Sequence, residues 1–78
     1  MPGIQKPSPC FLDSLPKWRV IDGQQVWASL DRKRLYTWDS LHGEIEVFTQ
    51  RGYHLGALDA VTGRYIKEAK KGRRLNVR

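Results

Sequence analysis

From about Gln24 onward, short apolar and aromatic runs alternate with clusters of turn residues, the signature of successive β-hairpins. Val26-Trp27-Ala28-Ser29-Leu30 reads as a strand, Asp31-Arg32-Lys33 as its turn, and Arg34-Leu35-Tyr36-Thr37-Trp38 as the partner strand. Glu44 to Thr49 supplies the next strand and reverses at Gln50-Arg51-Gly52 into Tyr53 to Leu58. The turn Asp59-Ala60-Val61-Thr62-Gly63, with Gly63 placed for a positive φ, feeds a last strand from Arg64 to Lys67. The expected fold is mainly β: a small, highly twisted antiparallel sheet of about five strands, a meander of hairpins.

The stretch before it is different. Met1 to about Lys17 is punctuated by proline, and residues 1–23 read as an irregular N-terminal arm or linker, leaving 24–78 as the functional domain. One short helical turn is expected in the arm, with Ser8 as cap and Pro9 in the first helical position before Phe11, Leu12 and Leu15.

Seventy-eight residues allow one apolar core, near the lower limit for a domain without disulfides or a structural metal. Cys10 is the sole cysteine, and together with the distant His42 and His54 it gives no zinc-site spacing, so packing must hold the fold and no cofactor is expected. No apolar stretch approaches the length of a membrane span, and the four prolines by position 16 interrupt any signal-peptide core. These features predict a soluble monomer with no export address of its own and no membrane binding.

Fourteen Lys and Arg against eight Asp and Glu give a formal charge of +6, which favours a polyanionic partner through long-range, salt-sensitive attraction. The excess is concentrated at the end of the chain, where Arg64, Lys67, Lys70, Lys71, Arg73, Arg74 and Arg78 face only Glu68. A solvated tail is the plainer reading of such a run. Nucleic acid is the partner the charge suggests.

Within this basic chain, the segment Trp38-Asp39-Ser40-Leu41-His42-Gly43-Glu44-Ile45-Glu46 gathers carboxylates around an imidazole. Asp39, His42 and Glu46 would line one face of a helix, but Gly43 and the flanking β-branched and aromatic residues argue against one. In strand geometry His42 and Glu46 share a face and Asp39 does not, so a bend or bulge between Ser40 and Gly43 is required to unite them.

Cleaving RNA without a metal requires a base for the 2′-hydroxyl, an acid for the departing 5′-oxygen, and a cation for the transition-state charge. Carboxylate and imidazole suit the first two roles, and the forked guanidinium of arginine suits the third. Asp39, His42, Glu44 and Glu46 are the candidates for the former, Arg73 and Arg74 for the latter. Such chemistry leaves a 2′,3′-cyclic phosphate and spares DNA, which has no attacking hydroxyl.

Plainer explanations exist for each residue. Asp39 reads equally as a turn initiator, Glu44 as a member of a solvated face, and His54, with no acid beside it, as structural. Trp27, Tyr36, Trp38, Phe48 and Tyr53 are able to stack on bases, yet in so small a domain most belong in the core. A basic RNA-binding module without catalysis would explain the charge but not the cluster. A metal-dependent nuclease with Asp39, His42 and Glu46 as ligands is chemically permissible, though it lacks a second nearby histidine.

The acid–histidine segment and the later run His54-Leu55-Gly56-Ala57-Leu58-Asp59-Ala60-Val61-Thr62-Gly63 together resemble the cytotoxic ribosomal-RNase domain of the ribosome-inactivating colicins and cloacin, a fold also found in contact-dependent inhibition toxins. The resemblance runs from about Trp27 to Arg74. It implies a ribonuclease domain over 24–78 that cuts small-subunit (16S) ribosomal RNA at the decoding centre without a metal and arrests translation. Asp39, His42 and Glu46 would take the catalytic positions, with Glu46 as base and His42 as acid, roles that coupled neighbours leave exchangeable. The catalytic arginine falls on Arg73, with Arg74 as the alternative, and Lys67, Lys70, Lys71 and Arg74 would bind RNA. The resemblance further implies a small-subunit ribosome partner, an acidic immunity protein, and delivery within a larger secreted toxin acting in the target bacterium's cytoplasm.

Overall fold

The computed structural model describes residues 3–77, so Arg78 of the terminal basic run lies outside the described residues. Six antiparallel strands form a single sheet in chain order: β1 (Lys17–Ile21), β2 (Gln24–Ala28), β3 (Arg34–Asp39), β4 (Glu44–Thr49), β5 (His54–Asp59) and β6 (Tyr65–Glu68). The last five strands follow the hairpins read from the sequence. β1 was not expected, because only Trp18 and Ile21 of this edge strand are even partly buried and its apolar residues do not alternate. The pair Asp22-Gly23, both at positive φ, makes the tight turn into β2, so the sheet begins before Gln24.

The expected helical turn exists but is displaced. It is a 3-10 turn over Phe11–Ser14, entered from Cys10, whose N–H donates to the Asp13 carboxylate at 2.9 Å; neither Ser8 nor Pro9 caps it. Its purpose in the fold is to insert Leu12, which is completely buried. Truncating such a side chain to alanine costs about 2–5 kcal/mol, a large share of the stability of a domain this small.

Strand alternation divides the buried residues between the two faces of the sheet. One face carries Trp27, Tyr36, Ile45, Val47 and Leu58, and the segment holding Cys10, Phe11, Leu12 and Leu15 closes over it. The other carries Val26, Ala28, Leu35 and Phe48, covered by Trp18, Ile21, Leu75 and Val77. The chain after β6 therefore returns across the second face instead of trailing into solvent. Because opposed residues of antiparallel strands share a face, Thr37, Asp39, Glu44 and Glu46 continue the row of Leu35 and Phe48 towards one end of the sheet. That end is where the chemistry collects.

Candidate active site

The β3–β4 connection is the irregularity that the acid–histidine spacing demanded, and it takes the form of a four-residue turn, Ser40 to Gly43. Asp39 organises it. One carboxylate oxygen accepts the N–H groups of Leu41 and His42 at 3.0 and 3.2 Å, and the other meets His42 Nδ1 at 2.8 Å. The Gly43 N–H closes the turn on the Asp39 carbonyl at 2.8 Å. Partial burial pushes the Asp39 carboxyl up, but the His42 imidazole and the two backbone N–H groups together outweigh it and hold the carboxyl below the usual carboxylate range. His42 Nδ1 is thereby engaged, while the ring as a whole stays exposed.

The turn is also clasped from outside by the N-terminal segment. Ile4 donates its N–H to the Ser40 carbonyl at 2.7 Å and accepts the Trp38 indole N–H on its own carbonyl at 2.9 Å. Its side chain lies over Gly43, where an added Cβ would come within 3.1 Å of Ile4. The segment read as an arm thus braces the turn that carries Asp39 and His42.

Glu46 is buried beside this turn, with its side chain only 9% exposed, and it has two partners. Arg73 Nη1 bonds Oε1, and His54 Nε2 bonds Oε2. His54 is itself buried, packs edge-on against Phe48, and accepts the Lys70 backbone N–H on Nδ1 at 2.8 Å. That bond assigns the ring proton to Nε2, directed at Glu46.

In sequence no acid stands next to His54, which is why it reads there as structural. It reaches Glu46 through a β-bulge: Val47 lies opposite Gly56, but Phe48 lies opposite His54, so Leu55 is an extra residue. A regular ladder would place Leu55 opposite Phe48 and turn His54 to the other face; the inserted residue re-aims it at the cleft. Gly56 is needed here, at φ +146, because a Cβ would lie 2.5 Å from the Lys67 carbonyl oxygen. The sequence signal was the glycine inside an otherwise apolar strand.

The returning segment brings Arg73 into place. Leu75 and Val77 anchor it in the second core cluster, the Leu75 N–H donates to the Gly52 carbonyl at 2.8 Å, and Tyr53 and Arg74 form a backbone bridge. Asp39, His42, Glu46 and Arg73 then line one cleft, and a neighbouring recess adds Glu44, His54, Lys67 and Lys70. Arg74 points elsewhere, its guanidinium stacked on Tyr53 at 4.4 Å. Of the expected RNA-binding cations, Lys67 is paired with Glu44 at 2.9 Å, whereas Lys70, which lines the recess, and Lys71 and Arg74, which lie outside it, are exposed.

For a metal, the donor atoms that converge are those of Asp39, His42 and Glu44, within 4.8 Å of one another, rather than the Asp39, His42 and Glu46 trio considered from sequence. Two carboxylates and an imidazole suit several divalent ions, but the Lys67 ammonium already occupies a Glu44 oxygen. Glu46, buried between Arg73 and His54, stands outside that group.

Fold and cleft together define a small basic β-domain whose carboxylate, imidazole and guanidinium groups meet around one opening. The chain belongs to the Cytotoxic family, whose sequence profile matches residues 16–76. It is 40% identical to colicin E3 of Escherichia coli over 67 residues, covering 85% of this chain, and 43% identical to cloacin of Escherichia coli over 42 residues, covering 53%. The aligned regions amount to 11% and 8% of those proteins, so the chain corresponds to a small part of each.

Proposed function

We propose that this domain is a toxin endoribonuclease that cleaves 16S ribosomal RNA at the decoding centre by metal-independent acid–base catalysis, arresting translation. The observation that carries the reading is the Glu46 carboxylate, held between Arg73 and His54 in a cleft whose rim presents the His42–Asp39 pair. Membership of the Cytotoxic family supports it.

In this reading Glu46 accepts the proton of the attacking 2′-hydroxyl. Its oxygens each retain a lone pair beyond the bonds to His54 and Arg73, so the base need not break its supports to act. His42 delivers a proton from Nε2 to the departing 5′-oxygen, and Asp39 fixes its tautomer and stabilises the charged ring. Arg73 shares its guanidinium between Glu46 and a non-bridging phosphate oxygen, countering charge as the phosphorane forms. His54 is a positioning residue, which orients Glu46 and is itself oriented by the Lys70 N–H.

The exposed cations Lys70, Lys71 and Arg74 draw the domain to the small ribosomal subunit, and the same positive rim suits an acidic immunity protein that blocks access. The domain acts as a monomer, delivered within a larger secreted toxin to the cytoplasm of a target bacterium.

The test is incubation of the purified protein with ribosomes in EDTA. A discrete cut in the small-subunit rRNA, leaving a 2′,3′-cyclic phosphate, is expected. Intact rRNA, or scission that disappears with the chelator, overturns the proposal, and ribosome binding without any cut leaves a basic RNA-binding module in its place.

A further inference from the structure

We infer that the hollow between Tyr53 and residues 69–74 is a nucleobase subsite, which holds a base next to the scissile linkage. This rests on the ribonuclease reading and extends it to a part of the surface outside the acid–base cleft.

The hollow has a volume of about 530 Å³ and is lined by Tyr53, His54, Ala69, Lys70, Lys71, Gly72, Arg73 and Arg74. Three features point to a base. First, Tyr53 is 52% exposed while Trp27, Tyr36 and Phe48 are buried, and the Arg74 guanidinium lies 4.4 Å from the centre of its ring. The backbone bridge between the two residues fixes this planar pair in place. Flat π-faces and guanidinium planes are the surfaces on which unpaired bases stack.

Second, the charge of the hollow is of one sign. Its lining contains no acid, and among the described residues Lys70, Lys71 and Arg74 have no carboxylate partner, unlike Lys67 and Arg73. A cationic rim around an aromatic floor matches a nucleotide, whose phosphate and base differ in the same way. Gly72, at φ +88 with nothing within 4 Å of where a Cβ would stand, leaves that rim open.

Third, the hollow adjoins the reaction centre. His54 and Arg73 line both it and the recess around Glu46, so a strand with its phosphate on Arg73 has its neighbouring base within reach of Tyr53. An acidic protein surface would use the lysines and arginines but has no need of the ring, and this difference makes the proposal testable.

The experiment compares binding of a short single-stranded 2′-O-methyl RNA, which resists cleavage, with the same backbone made abasic, at equal charge and salt. Wild type should bind the base-bearing strand about tenfold more tightly. Tyr53→Ala should abolish that preference, Tyr53→Phe should keep it, and Arg74→Lys, which keeps charge but loses the plane, should weaken it. Equal affinity of wild type for both strands, or a preference that survives Tyr53→Ala in a protein with unchanged thermal unfolding, overturns the subsite. Neither result depends on cleavage, so failure of the ribonuclease reading would show separately as uncut ribosomes.

Discussion

The His54 imidazole is bonded through Nε2 to the Glu46 carboxylate, eight residues away in sequence but on the adjoining strand. Its other nitrogen accepts the Lys70 N–H, so one ring ties the candidate base to the segment that delivers Arg73. Replacing His54 with alanine should lower single-turnover cleavage by about 10²-fold, a loss typical of displaced acid–base groups. One oxygen of the buried Glu46 would lose its partner, at a cost of about 1–3 kcal/mol, whereas the exposed Lys70 N–H can turn to water. The measurement is single-turnover rRNA cleavage at saturating protein beside thermal unfolding. Unaltered cleavage at full occupancy would assign His54 to packing alone.

The contact between Ile4 and the β3–β4 turn predicts an effect far from the cleft. Trp38→Phe removes the indole N–H that Ile4 accepts, and Ile4→Pro removes the N–H donated to Ser40. Each should reduce kcat several-fold with little change in KM, because the turn positions His42 rather than binding the strand. Ile4→Val should behave as wild type. An effect on KM alone would show that the segment contacts the ribosome instead.

The Asp39 carboxyl sets a pH dependence of known sign. Its value is depressed in the folded protein, so its contribution to the turn is complete above the ordinary carboxylate value near pH 4 and is lost as pH falls through the lower folded value. The amides of Leu41 and His42 should therefore keep their NMR shifts from about pH 8 to 5 as far as Asp39 is concerned, then move together in acid. In Asp39→Asn that common acid transition should disappear.

Gly52 is the point at which the returning segment closes on the β4–β5 turn. At φ +91, an added Cβ would lie 2.1 Å from the Leu75 carbonyl oxygen, a clash with backbone that no rotamer relieves. Gly52→Ala should destabilise the domain by about 2 kcal/mol or more and, by shifting Leu75, withdraw Arg73 from Glu46. Urea unfolding and cleavage assays on this variant should fall together.

These dependencies explain what could be read in the chain beforehand. The hairpins from β2 to β6 were legible because each apolar run ends in turn residues, and the grouping of Asp39, His42 and Glu46 around one cleft was legible because all three lie in or beside the β3–β4 turn. β1 was hidden by its exposed edge position, although Asp22-Gly23 between Ile21 and Gln24 is a hairpin signal in its own right. His54 was hidden because its relation to Glu46 exists only across a strand pair, with the face set by one inserted residue. The N-terminal segment carries no periodic pattern that announces its bonds to Trp38 and Ser40, since backbone groups supply most of them.

The central claim is that Glu46 and His42 perform the proton transfers of strand scission, and primer extension on rRNA recovered from treated ribosomes tests it most directly. Wild type should give one strong stop in the small-subunit RNA. His42→Ala and Glu46→Gln, still bound to ribosomes, should give none above background. A stop of undiminished strength with either variant would contradict the account.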